Sequence, residues 1–268
     1  MKKDESYISL TGQKSRETKQ LIAVTVLILA FFYISAIWSQ NWQVPGSRVS
    51  PLTILYRMFI VPFTSVEYFS IFMGRMGQML ETVAIAYAGG IAASIIAIPI
   101  AFLASRNIGG PLNYVGKAIL NAIRAIPSII FAILFVAALG VGPYPGVLAI
   151  SINSIGMIGK LYAEVIESVD MNMVDSIRAS GGNRVQAIWY GVLPQVLPEF
   201  ASFSIYRFEI DVRASTVLGL VGAGGIGVPL MIAQQQRNWE DVGIILIIII
   251  LFVTLIDKAS GKIRARLI

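Results

Sequence analysis

The chain has 268 residues, 56% hydrophobic and 13% charged, with a mean hydropathy of +0.74 and a net charge of +6. That balance is far too apolar for a soluble domain of this length, and the basic excess then reads as loops on one side of a membrane rather than a nucleic-acid surface. Cysteine and histidine are both absent, which excludes disulfides, thiolate zinc sites, cysteine nucleophiles and histidine acid–base chemistry.

Residues 1–20 are polar and basic, carrying Lys2, Lys3, Lys14, Arg16 and Lys19. Leu21 to Trp38 follows without a charge and ends in an interfacial tryptophan. This run is too long for the apolar part of a signal peptide, and no small-x-small cleavage site follows it, so it reads as a retained membrane helix. Gln40 to Gly77 holds Pro45, Pro51 and Pro62 among aromatic and aliphatic residues, and is expected to lie along the outer interface. Met79 to Leu103 is the second span, with Glu81 at its outer end. The chain is therefore expected to divide into 1–78, an N-terminal tail with the first span and an interfacial segment, and 79–268, a membrane core. A short loop with Arg106, Gly109, Gly110 and Pro111 leads to a third span over Ala118 to Leu139. Gly110 to Ala118 approaches a P-loop, but the gap is one residue too long and Ala118 stands where Ser or Thr is needed, which excludes a nucleotide site.

The turn Gly140 to Gly146 opens a fourth span over Val147 to Val165, where Lys160 and Glu164 are spaced for a helix pair. Asp175 to Pro194 is the longest run that is neither an apolar span nor a terminus. It reads as a short helix, a break where Gly181 or Gly182 takes the left-handed conformation, and a second short helix. Asn183 is placed to cap that second helix, with Gln186 in the capping-box position. Gly191 and Leu193-Pro194 are expected to stop it before the chain re-enters the membrane. Hydropathy alone selects Ala214 to Ala233 as the fifth span. The alternative, about Pro198 to Leu218, buries Arg207, Glu209, Asp211 and Arg213. Gly222, Gly224, Gly225 and Gly227 match GxGxxG, but the dinucleotide fold needs a βαβ unit, and this cluster lies between membrane spans. Glycines here let helices pack closely or let the backbone turn inside protein. The last span is Trp239 to Ile256, followed by Lys258, Lys262, Arg264 and Arg266.

Six spans put both termini on one side. The termini, Arg106, Lys117, Lys160, Arg178 and Arg184 then share that side, while the other receives Arg48, Arg57, Arg75 and Arg237. The positive-inside rule assigns the basic side, with both termini and the 171–194 loop, to the cytoplasm.

Asp175, Ser176, Ile177, Ala179, Gly181, Gly182, Leu193 and Pro194 resemble the EAA loop of permease subunits in ABC importers, with Asp for Glu, Ser-Ile for the two alanines and Gly191 for a customary isoleucine. Arg124-Ala-Ile-Pro127, Leu139 to Pro143, Gly159-Lys160 and Val221 to Gly225 are similar to further signatures of such permeases. Ser204 to Val217, with its charged run, resembles the corresponding segment of phosphonate-uptake permeases. The resemblance covers about Met79 to the end. It implies an all-α polytopic membrane protein with the type I ABC importer permease fold, and it favours Pro198 to Leu218 as the fifth span. It implies a homodimer of permeases in the cytoplasmic membrane, two ATP-binding cassette subunits and an extracytoplasmic substrate-binding protein. ATP and Mg would bind the partner ATPases, with no cofactor, metal or catalytic residue in this chain, and the 171–194 loop would couple to those ATPases. The cargo implied is a phosphonate or a related small phosphorus oxyanion. The alternatives are another ABC cargo class, an amino acid or other oxyanion, and an ion-coupled secondary transporter. The last would not need the helix–Gly–helix loop, and no inverted repeat of three spans is visible.

On a helix Arg207 and Asp211 share one face, and Glu209 and Arg213 another. The two pairs either neutralise each other inside the bundle or leave one arginine partly free to attract an anion. Together with Arg124 these four are the candidate pathway residues. Arg213 is the first choice, being nearest the glycine cluster and the expected outer gate.

Overall fold

The computed structural model describes residues 4–39, 50–64 and 67–267, the side chains of 4–17 and Glu67 excepted. The chain separates into two compact units, residues 1–50 and 51–268. The first unit contains helix α1, Asp4–Ser39, whose segment Thr18–Ser39 is long and apolar enough to cross a bilayer. Part of the interfacial segment expected between residues 40 and 77 lies outside the described residues.

The second unit is helical throughout its described residues. It begins with α2, Pro51–Phe59, and a 3-10 turn, Val61–Phe63. Then α3, Glu67–Ala104, runs to the short α4, Arg106–Gly109. Next come α5, Asn113–Ala125, and α6, Ser128–Leu139, then α7, Pro143–Glu167. The loop region is α8, Met171–Ala179, and α9, Arg184–Gln186, continued by a π-helical stretch Ala187–Val192. Helix α10, Leu193–Leu218, is followed by a glycine-rich turn, α11, Gly227–Gln235, and α12, Trp239–Arg264.

Besides α1, helices α3, α7 and α12 are long and apolar enough to span, and α5 with α6 make a fifth crossing if the bent pair counts as one. Helix α10 carries too many charges to read as an apolar span, yet its 26 residues rise about 39 Å, and Arg207, Glu209 and Asp211 are buried in the bundle. Burial among paired charges, not hydropathy, makes it the sixth. The fifth span therefore follows Pro198 to Leu218 and not Ala214 to Ala233.

Three boundaries differ from the hydropathy reading. Helix α3 starts at Glu67, twelve residues before Met79, so the expected 78/79 division falls inside a helix. The sequence reading starts the span at Met79, but the helix extends outward through Arg75, whose guanidinium is held by Asp241, with Nε 3.1 Å from Oδ1. The third span is broken: α5 and α6 meet at 79° across Ile126-Pro127. Proline removes the amide that would continue the ladder and pushes Ile126 to extended ψ, here 121°. Finally, Gly191 and Leu193-Pro194 do not stop the second loop helix. The π stretch absorbs the proline, and the Gln195 side chain donates to the Gly191 carbonyl at 2.6 Å, so the chain enters α10 without a break.

Helix α7 is the centre of the unit, packed by α3, α5, α6 and α10. Ala93, Ala97, Ala101 and Ala104 lie along one face of α3 and are fully buried, the small-residue face that lets two membrane helices approach. The same cluster takes in Tyr162, Phe200, Val174, Ala187 and Val192, so the underside of the loop belongs to the bundle core.

Candidate functional site

The 171–194 loop is built from local chemistry that can be read residue by residue. Asp170 caps α8, accepting from the Asn172 amide at 2.9 Å. Gly181 ends that helix with φ +88°, and its amide donates to the Arg178 carbonyl at 3.0 Å, the αL termination that glycine adopts without cost. Gly182 is needed for close approach rather than for its φ: a Cβ there would stand 2.7 Å from Ile177 Cγ2 and 2.8 Å from the Ile177 carbonyl. Asn183 and Gln186 close a reciprocal capping box, each contact 2.8 Å. The turn thus has one geometry. Val174 is buried and Gly191 abuts Val174 and Ile177, so α8 is keyed to the π stretch. Opposite that keyed underside, Met173, Val185, Trp189 and Tyr190 are exposed. Asp175 and Arg178 form an exposed 3.4 Å pair, the Ser176 hydroxyl donates to the Asn172 carbonyl, and Ala179 and Pro194 are also exposed, while Leu193 packs on the core.

The charged run of α10 resolves into three arrangements. Arg207 and Asp211 pair at 2.9 Å, as their i, i+4 spacing predicts, and both are buried. The Ser154 hydroxyl on α7 lies 2.9 and 2.8 Å from the Asp211 oxygens and accepts from Arg207 Nε at 2.9 Å. Arg207 also donates to Asn153 Oδ1 and to Met157 sulfur, each at 2.8 Å, so this buried pair is surrounded by partners from one face of α7.

The expected Glu209–Arg213 pair is not formed. Glu209 accepts from Arg264 at 2.9 Å, and Arg213 donates to both oxygens of Asp257 at 2.7 Å. Helix α12 packs along this side of α10 and presents a counter-charge to each residue, which i, i+4 reasoning within one helix cannot see. Arg264 is further held over the Tyr206 ring, 5.4 Å from its centroid. The Arg213 side chain, the first choice for a pathway arginine, is half exposed and paired with Asp257 in this structure.

Arg124 is different. It lies on the last turn of α5, immediately before the bend, is exposed, and makes no ion pair among the described residues. Its stem fits a notch in α7, where a Cβ on Gly156 would stand 2.8 Å from Arg124 Cγ. The bend itself is tied to α7 by Asn153, whose amide approaches the Ile126 carbonyl at 3.4 Å. Asn153 therefore touches both the bend and Arg207.

At the far end of the unit from the 171–194 loop, the four glycines are buried in a turn after α10. Gly222, Gly224 and Gly225 have φ of +89°, +80° and +70°. The turn sits on α3: the Gly225 amide donates to Glu81 Oε1 at 3.2 Å and the Ile226 amide to the Thr82 hydroxyl at 2.8 Å. The Gly142 amide before α7 donates to the Gly222 carbonyl at 3.0 Å. Gly227 allows the turn to close, since a Cβ there would meet the Thr216 carbonyl and lie 2.7 Å from Gly219 Cα. No group of His, Cys, Asp or Glu suited to a metal occurs among the described residues.

Asn153, Ser154, Asp257 and Arg264 are the partners that sequence reasoning missed. Asn153-Ser154 is an adjacent polar pair inside the fourth apolar run, a signal in plain view. Arg264 reads in the sequence only as part of the basic terminus.

Residues 97–261 match the family described as "Binding-protein-dependent transport system inner membrane component". The phosphite transport system permease protein PtxC of Stutzerimonas stutzeri is 44% identical over 198 residues, 73% of this chain and 72% of that protein. The phosphate-import permease protein PhnE of Mycolicibacterium smegmatis is 38% identical over 190 residues, 70% of this chain and 36% of that protein. Among solved structures, an inward-facing form of the MetNI methionine ABC transporter superposes with a TM-score of 0.63 at 21% identity, covering 76% of this chain and 100% of that one. At that identity the likeness concerns the fold alone.

Proposed function

Because the chain belongs to the family of binding-protein-dependent transport system inner membrane components, the multi-pass permease subunits of ATP-driven importers, we infer that it carries a small phosphorus oxyanion of the phosphonate or phosphite type across the cytoplasmic membrane. The subunit is not an enzyme. The observation that carries the cargo assignment is the 44% identity with a phosphite permease over 73% of this chain. The observation that supports coupling is the 171–194 loop, a turn of fixed geometry whose underside is part of the bundle core. Two copies of this chain, two ATPase subunits holding ATP and Mg, and an extracytoplasmic binding protein make up the working complex. Closure of the ATPases draws the two loops together and rocks the spans between inward- and outward-open states, a rigid-body transition.

Reconstitution of the complex in proteoliposomes tests this reading. ATP-dependent uptake of phosphite, methylphosphonate or phosphate is expected, with no uptake of methionine. Uptake driven by an ion gradient without the ATPase would overturn the importer reading, and uptake of methionine alone would overturn the cargo. Orientation has its own check. A reporter active only in the cytoplasm is expected to work when fused after Ile268 or between Gly182 and Asn183, and to fail between Gln234 and Gln236. A signal at the last site would overturn the placement of α11 on the outer side.

A further inference from the structure

Lys117, Asn121 and Arg124 recur at i, i+4 and i+7 along α5, so they share one face of that helix. That face borders the one that Gly116 and Leu120 bury against the bundle, and Asn153, Lys160 and Glu164 of α7 lie along the same seam. A cavity of about 300 Å³ opens at the loop end of this seam, lined among others by Arg106, Lys117, Asn121, Lys160, Glu164 and Glu167. Its carboxylates are committed: Glu167 holds Lys117 at 2.9 Å and receives the Arg106 amide, and Glu164 pairs with Lys160 at 3.6 Å. Arg124, three residues beyond the cavity-lining Asn121 on α5, has no counter-charge among the described residues.

Arg124 is eleven residues along α5 from Asn113 and stands just before the 79° bend into α6, inside the segment read as one broken membrane crossing. An arginine facing hydrocarbon there would cost at least ~2.5–3.5 kcal/mol, and such residues in membrane proteins face water or a protein partner instead. The site is also prepared for it: Gly156 leaves room for the stem, and Asn153 holds the backbone at the bend beside it. We propose that Arg124, with Asn121 one turn before it on α5, forms an anion subsite on the inner half of the translocation pathway, one per permease copy, through which the oxyanion passes on its way to the cytoplasm. Guanidinium suits this position because it offers a planar pair of donors to an oxyanion, and the polar cavity at Asn121 keeps the hold weak enough for release. The proposal rests on the oxyanion reading of function.

The absence of cysteine makes a direct test possible, since Arg124→Cys places a single thiol in this chain. In the reconstituted complex this variant is expected to lose phosphite uptake at least tenfold, on the order of one charge-assisted hydrogen bond. Reaction with a cationic aminoethyl thiosulfonate should restore several-fold more uptake than a neutral methyl reagent, while an anionic sulfonatoethyl reagent should restore none. Phosphite should slow the reaction of the introduced thiol with the cationic reagent in the nucleotide-free state. A lipid phosphate as the true ligand of Arg124 would instead leave that reaction rate indifferent to phosphite, and this result would overturn the subsite. Equal restoration by neutral and cationic reagents would overturn it too, showing that only volume matters. Unimpaired uptake by Arg124→Cys would remove the subsite while leaving the cargo assignment intact. Failure of the unsubstituted complex to move any anion would overturn both.

Discussion

Replacing Gly181 by proline is expected to lower ATP-driven uptake roughly 100-fold while expression and membrane insertion stay normal, the scale on which small misplacements of a preorganised assembly cost function. Proline cannot adopt the φ of +88° found there, and it removes the amide that donates to Arg178. The turn must then rearrange, and with it the angle at which α8 and the capped α9 present Met173, Val185, Trp189 and Tyr190. Insertion is spared because Gly181 lies outside every span, with open space around its Cα. That open space also sets a ranking. Gly181→Ala meets no clash and carries only the left-handed penalty of about 1–2 kcal/mol, and Gly181→Asn less, since asparagine visits that region readily. Uptake should therefore fall in the order Asn, Ala, Pro, with basal ATP hydrolysis by the partner subunits persisting in all three. Full uptake by the proline variant at normal expression would remove the loop from the coupling path.

The reason a turn so far from the pathway has this leverage lies in packing. Val174, Ala187 and Val192 of the loop share a buried cluster with Tyr162 of α7 and Phe200 of α10, whose rings stack 3.8 Å apart. Close-packed side chains transmit displacement rather than absorb it. Further along α7 from Tyr162 come Met157, Ser154 and Asn153, and so the buried ion pair and the α5–α6 bend.

What the sequence made legible follows from the range of each signal. The capping box of Asn183 and Gln186, the left-handed glycine and the Arg207–Asp211 spacing are local, and all three are readable because the interacting groups lie within four residues of one another. The bend at Ile126-Pro127 is carried by a proline in plain view, but hydropathy sums Ala118 to Leu139 into one run because it measures transfer and not direction. The Glu209–Arg264 and Arg213–Asp257 pairs lie across two helices, 55 and 44 residues apart in sequence. No periodicity within α10 distinguishes them from an internal pair. The start of α3 escapes for the same reason, since Asp241 is 166 residues from the Arg75 it neutralises.

The second large effect is expected at the Arg207–Asp211 pair. Arg207→Gln leaves the Asp211 carboxylate fully buried, with one hydroxyl, Ser154, as its remaining side-chain partner among the described residues. Removing one member of a buried pair costs about 3–5 kcal/mol, so thermal unfolding of the purified complex should fall by roughly 10 °C and uptake should fall with it. Asp211→Asn should cost less, because Arg207 keeps acceptors on Asn153, Ser154 and Met157. The double variant Arg207→Gln with Asp211→Asn removes both charges while keeping polar groups opposite Ser154. Since replacing both members of such a pair is often near neutral, most of the lost stability should return. Uptake should return in parallel, because the hydrogen bonds of the pair to Asn153, Ser154 and Met157 clasp α10 to α7. A double variant that unfolds like the original but no longer transports would show that the pair opens during the cycle. Single variants as stable as the original would show that it is no clasp.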